Sequence, residues 1–332
     1  MIDIFGVLDD GTQVDVITLG SAELGVKILT LGAIIHDVRL TGVDWPLTLG
    51  TTDVAGYRGP LKSFGSFMGP VVNRIKGAKA TIDGETFEFE THRSGNLTQH
   101  SGSTGLQNLV WAVVDQGDSF VVLSIDLPDG LGGFPGNRTV TVRYDVHGAA
   151  LRMTATATTD APTLMNPANH SYWVMDPGLG YAGHTLTIDA DRYTITGTDL
   201  MPTGDLPLVA GTGYDFRKGL TLAGDDSQFF DLNLCMADGQ TALRPIATLR
   251  GTSGVQMEMS TTECGLQVYD CGTISAPGFA THHGADIGPY SGVALEAQSW
   301  PGALEHDHFP PIVLRPGETY AQTTQWAFSK DT

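Results

Sequence analysis

The sequence predicts an all-β fold, an antiparallel sandwich or barrel, from three observations. Short runs rich in β-branched residues recur at close spacing along its 332 residues. Its 42 glycines and 17 prolines are spread throughout, which suits many tight turns between short strands. Helical patterning is confined to short turns around residues 51–57 and 106–108. No linker-like composition break, internal repeat or charge block divides the chain, so residues 1–332 are expected to form one domain.

Taken in order, the first strands are expected in Val14-Asp-Val-Ile-Thr-Leu19 and in the glycine-broken run from Val26 to Leu40. Thr81-Ile-Asp-Gly-Glu-Thr-Phe-Glu-Phe89 has the pattern of a hairpin, with Asp83-Gly84 supplying a turn of the primed type. Strands follow at 120–127 and 139–146, the second carried by the turn Gly130-Leu-Gly-Gly-Phe-Pro-Gly136. Leu151-Arg-Met-Thr-Ala-Thr-Ala157 alternates apolar and polar side chains, the period of a half-buried strand. Pro167 cannot donate to a sheet ladder, so this strand should kink or end near it. Further strands are expected at 186–190, 247–249, 256–260, 266–269 and 293–297.

Composition excludes several function classes. Eighteen Lys and Arg against 37 Asp and Glu give a formal net charge of −19, which repels phosphate backbones and anionic lipid. Neither nucleic acid nor membrane is expected as a partner, and a neutral small ligand is. The three cysteines, Cys235, Cys264 and Cys271, lack CxxC spacing, so a reducing compartment fits better than a disulfide framework or a zinc site. The first ten residues have no basic region or long apolar run, so a soluble, cytoplasmic protein is expected. On that expectation the glycosylation-like patterns at Asn96, Asn137 and Asn169 are idle.

The densest chemistry lies in Met165-Asn-Pro-Ala-Asn-His-Ser-Tyr-Trp173, with two amides, a histidine, a hydroxyl and two aromatic rings in nine residues. Such a stretch suits a cleft in which rings take an apolar ligand face and amides its polar rim. Taken alone, His170 has as its bland alternative a buried histidine bonded to backbone. Leu295-Glu-Ala-Gln298 puts Glu296 and Gln298 on one strand face, either open to solvent or turned into a cleft. Asp231, Gln267 and His100 share that ambiguity. The glycine-rich 130–136 segment lacks GxGxxG and a following helix, which argues against a nucleotide. His282-His283 and His306-Asp-His308 have no third ligand at a recognisable spacing, so exposed loop histidines are expected there and no metal.

Ten short pieces, in order, resemble the aldose 1-epimerase (galactose mutarotase) family over nearly the whole chain. They are Thr30-Leu-Gly-Ala33, Gly69-Pro-Val-Val-Asn-Arg-Ile75 with Ile82-Asp-Gly84, Gln99-His-Ser-Gly102, Gly133-Phe-Pro-Gly-Asn137 and Asn166-Pro-Ala-Asn-His-Ser-Tyr172. Next come Met201-Pro-Thr-Gly204, Tyr214-Asp-Phe-Arg217, Gly265-Leu-Gln-Val-Tyr269, Leu295-Glu-Ala-Gln298 and the segment from Phe309 to Tyr320. The resemblance implies a large antiparallel β-sandwich with few short helices. It also implies cofactor-free interconversion of the α and β anomers of a free monosaccharide, by a monomer or homodimer.

By resemblance, Glu296 is the general base and His170 the general acid. His100 assists at the sugar oxygens, while Asn73, Arg74, Asp231 and Gln267 hold hydroxyls. Tyr172 or Trp173 is expected to offer an apolar face. Two departures from the family pattern, Leu232 in place of a histidine and the segment Tyr269-Asp-Cys-Gly-Thr-Ile274, are expected at the hydroxyl-binding rim. The rivals are a non-catalytic carbohydrate-binding module, which would have lost the acid or base, and a mutarotase for phosphorylated sugars. The second would need cations that this chain is short of.

Overall fold

A computed structural model describes residues 1–91 and 97–331, leaving Asn96 of the first glycosylation-like pattern outside it. The chain folds as an all-β sandwich built from two main antiparallel sheets. The larger has nine strands. In spatial order they are Ala112–Gln116, Phe120–Leu127, Arg138–His147, Ala150–Thr159, Tyr320–Lys330, Val255–Thr261, Arg244–Arg250, Thr185–Ile188 and Leu220–Thr221. The smaller has five, in the order Tyr172–Trp173, Val293–Gln298, Gly265–Tyr269, Asp231–Cys235 and Arg192–Tyr193. A further four-stranded meander (Ile2–Val7, Gln13–Gly20, Leu24–Leu29, Ile35–Leu40) packs beside them.

One apolar core joins the two main sheets. Val121, Val142, Met153, Met257 and Trp326 of the large sheet pack in the same cluster as Leu232, Leu266, Val268 and Leu295 of the small one. All of these are buried. Removing this much apolar surface from water is the main driving force for the sandwich.

Most predicted elements are found. Phe120–Leu127 has the expected limits, and the hairpin pairs Lys79–Ile82 with Glu85–Glu88. Its turn needs left-handed backbone at both central residues, and Asp83 and Gly84 take φ of 52° and 87°. The helical turns are Val54–Arg58 and a 3₁₀ turn at Leu106–Asn108. Two expectations differ. The run from Val26 to Leu40 is two strands, because a tight turn through Gly32 and Ala33 (φ 60° and 47°) reverses the chain. The 150s strand ends at Thr159, eight residues before Pro167, so the proline does not terminate it. Instead Pro167 sits between two-residue strands, Thr163–Leu164 paired with Val313–Leu314 and Ala168–Asn169 paired with Phe67–Met68. Among the described residues no helix is long and apolar enough to cross a membrane.

Candidate active site

The site is built on the outward face of the five-stranded sheet. Strand register aligns Glu296, Gln267 and Asn233 in one row across three strands, and Tyr172, Ala294, Tyr269 and Asp231 in the next row. Directly opposed residues share a face, and so do residues two apart, so both rows lie on the same side. Leu295, Val268 and Leu232 alternate to the other side and enter the core. The period of two therefore separates chemistry from packing within each strand.

His170 reaches this face from the short bend between Ala168–Asn169 and Tyr172–Trp173. Its Nε2 lies 3.4 Å from Glu296 Oε1, and their side chains are 5% and 3% exposed. The His170 ring meets the His100 ring edge-on at 5.5 Å, and lies 5.1 Å from Tyr172, which itself stacks on Phe64 at 4.1 Å. His100 sits in a turn that also holds Asn73. The His100 N–H donates to the Asn73 carbonyl at 2.8 Å, and the Asn73 N–H donates to His100 Nδ1 at 3.2 Å. An accepting Nδ1 places the proton of a neutral His100 on Nε2, making that nitrogen a donor.

A second cluster flanks the pair. Gln267 Nε2 donates to Asp231 Oδ1 at 2.7 Å, while Arg74 donates to Asp231 Oδ2 at 3.3 Å and to Asn73 Oδ1 at 3.4 Å. Asp231 is thus oriented from two sides, and Arg74 offsets its charge. Burial pushes the Glu296 carboxyl well above the ordinary carboxylate range; Asp231 adds to the rise and Arg74 opposes it. Burial lowers the His170 imidazole to about 4. Both groups therefore resist charge when considered singly. As a touching pair they favour the state that holds one proton between them, which carries no net charge.

All seven sequence-predicted residues, His100, His170, Glu296, Asn73, Arg74, Asp231 and Gln267, converge on this one face. Several finer expectations are corrected. The two amides of the 165–173 stretch do not reach for a ligand: Asn166 clasps both backbone groups of Ser299, accepting at 2.8 Å and donating at 3.2 Å. Asn169 donates to Gly65 O at 2.8 Å and accepts from Ser171 N at 3.1 Å, fixing the bend that carries His170. Trp173 cannot offer a sugar face, because it is fully buried against Trp326 and Phe328 in the core. Leu232 faces Val268 on the apolar side, so its departure from the family pattern does not touch the rim. Tyr269 of the second departure does share the site's face.

Of the paired loop histidines, His282, His306 and His308 each reach a backbone carbonyl, and His308 is exposed as expected. His282 lies 3.0 Å from His36 O and its ring packs on His36, while His306 lies 3.0 Å from Pro202 O. Asn233 joins the site beyond the residues the sequence points to; the alternation in Asp231-Leu-Asn-Leu is the signal that places it on the same face as the acid.

A family model described as Aldose 1-epimerase matches residues 15–327. The galactose mutarotase of Bos taurus is 32% identical over 98% of this chain and 97% of its own length. The chain belongs to the aldose 1-epimerase family. As a member it is an isomerase that epimerises aldoses at C1, and the aldose 1-epimerase of Escherichia coli is 29% identical over 96% of both chains. Among solved structures, an aldose epimerase homologue from C. elegans superposes with a TM-score of 0.88 at 26% identity, covering 96% of this chain and 99% of that one. A galactose 1-epimerase from Lactobacillus acidophilus shares the fold with a TM-score of 0.84.

Proposed function

We propose that this aldose 1-epimerase interconverts the α and β anomers of a free monosaccharide by acid–base ring opening, with Glu296 as base and His170 as acid. The observation that carries this reading is the 3.4 Å contact between His170 Nε2 and Glu296 Oε1 in a buried setting. The contact leaves no room for a sugar between the two groups. The substrate therefore approaches their shared edge, presenting the anomeric hydroxyl and the ring oxygen, two oxygens on one carbon.

Glu296 takes the anomeric hydroxyl proton, and the O–H electron pair becomes the new C1 carbonyl bond. The C1–ring oxygen bond breaks, and its electrons stay on the ring oxygen, which takes a proton from His170. The pair passes from carboxylate and imidazolium to carboxylic acid and imidazole, so its net charge is zero throughout. After rotation about the C1–C2 bond, the same transfers in reverse close the ring on the other carbonyl face. Avoiding net charge at every stage suits a desolvated site. His100, with its Nε2 donor, supports the reacting oxygens; Asn73, Arg74, Asp231 and Gln267 hold the remaining hydroxyls.

The names of the mammalian relatives make galactose the first sugar to try. Polarimetry on freshly dissolved α-galactose, α-glucose and a sugar phosphate tests the reading. Catalysed decay of rotation is expected with free sugars. No acceleration above the buffer rate with any of them would leave a carbohydrate-binding module as the better account, and acceleration with the phosphate alone would favour the phosphorylated-sugar reading.

A further inference from the structure

Apart from the acid–base pair, the fold encloses a cleft of about 470 Å³ whose lining includes none of the seven residues above. Its size is that of small-molecule sites, typically ~300–1,000 Å³. One wall is apolar, formed by Met165, Pro310, Ile312 and Leu314. The other carries Asp238, Gln240, Glu263, Glu318 and Tyr320. No lysine, arginine or histidine is among the described lining residues.

Glu263 is the unusual member, a carboxyl only 1% exposed. Gln240 Nε2 and Tyr320 Oη both donate to its Oε1, at 2.6 and 3.2 Å. The nearby Arg244 guanidinium turns to the backbone, reaching Glu263 O at 3.5 Å. Glu318 is partly engaged, its Oε2 accepting from Arg315 N at 3.0 Å. Burial pushes the Cys264 thiol up to about 11 and holds the Tyr320 hydroxyl well above its ordinary value, so both stay neutral; Asp238 is the further carboxyl of the lining. Carboxyls thus outnumber cations at the cleft, and a buried one is positioned by two donors without a counter-charge on its side chain.

We propose that this cleft binds a small organic cation, a protonated amine on an apolar body, with its ammonium group at Glu263. An anion would meet three carboxyls and no cation. A neutral apolar molecule would fill the Met165–Leu314 wall but leave the carboxylate desolvated. An ammonium on a short apolar stem satisfies both walls. Binding also carries a proton signature. Burial raises Glu263 to about 7, so an ammonium that prefers the ionised carboxyl displaces its proton. Affinity should climb with pH, by up to about tenfold per unit below neutrality, then level off.

Calorimetry on the full chain with n-hexylamine, 1-hexanol and hexanoate, at pH 6 and pH 8, tests this. Hexylamine is expected to bind saturably and more tightly at pH 8, hexanol at least about tenfold more weakly, and hexanoate not at all. Glu263→Gln should weaken hexylamine by about tenfold or more while sparing mutarotation. Equal affinity for hexanol and hexylamine overturns the proposal, as does unchanged binding in Glu263→Gln, which would mean attraction to surface carboxylates only. Should that variant not fold, the wild-type series decides: affinity that does not change between pH 6 and pH 8, or an absence of saturable binding, overturns it.

Discussion

Glu296 and His170 are each held in surroundings that oppose their charge, and the cost is shared by keeping one proton between them. Two predictions follow from that arrangement. Glu296→Gln keeps the shape but removes the basicity, so turnover should fall by about 10²–10⁴ while sugar binding persists. The same substitution should raise the melting temperature at neutral and alkaline pH. Burial raises this carboxyl, so its contribution to stability is present below the unfolded-state value and is lost as pH rises through the folded one. An amide has no such loss. Polarimetry and thermal melts between pH 6 and pH 9 check the two effects. A variant that turns over at the native rate, or melts lower across that range, contradicts the assignment.

The pH profile of the native enzyme follows from the same pair. The active one-proton form is reached when the first proton leaves, a step that burial lowers to about 4 at the imidazole. It ends when the second leaves, a step that burial raises at the carboxyl. Turnover should therefore rise near pH 4, hold a plateau wider than ordinary side-chain values give, and fall only on the alkaline side. The fitted values belong to the pair. In His170→Asn the acid limb near 4 should vanish, and the small residual rate should rise only as the buried Glu296 base ionises, leaving no alkaline fall through that carboxyl. Rate–pH profiles of both proteins decide, and an acid limb unchanged in the variant would assign it to another group.

At the scale of the element, strand alternation made the site partly legible in the sequence. Leu295-Glu-Ala-Gln298 shows which residues share a face, but not which face meets solvent, because that depends on what packs behind. Here every residue of Val293–Gln298 is buried, since a core lies on one side and the site on the other. The longest described strand, Tyr320–Lys330, is not legible in the sequence for a related reason. Its inward positions begin with Gln322 and Thr324 before reaching Trp326 and Phe328, so hydropathy does not alternate along its first half. Gln322 is buried because its amide donates to Ala297 O at 2.7 Å, a long-range bond that no local pattern announces. The amides of Asn166 and Asn169 are hidden from local pattern on the same ground: their partners lie 133 and 104 residues away. Register also sets the tolerance of the site. A Cβ on Gly265 would come within 2.6 Å of Asn233 Oδ1 and 2.9 Å of the Gln298 carbonyl, so a side chain there must push adjacent strands apart. Gly265→Ala should cost about 1–3 kcal/mol in denaturant unfolding. It should also lower turnover, because Gln267 and Glu296 are set by those strands. Native stability and rate would show that the strands can part without disturbing the row.

At the scale of the whole molecule, the sandwich supplies a rigid sheet and the charge supplies selection. The net charge is −19, yet the site itself is close to neutral: Arg74 offsets Asp231, and the one-proton pair carries no net charge. A neutral sugar feels little of the surrounding field, whereas a phosphorylated sugar is repelled during approach and meets no uncompensated cation in the constellation. For a free hexose, kcat/KM should therefore change little with ionic strength. For the corresponding sugar phosphate it should be far smaller at low salt. It should then rise several-fold between about 0.01 and 0.15 M salt, as the screening length contracts from roughly 30 to 8 Å. Steady-state polarimetry of both sugars across a salt series measures this. A phosphate substrate handled as well as the free sugar at low salt, or inhibited by added salt, would show an attractive phosphate site and overturn the inference that charge selects for neutral substrates.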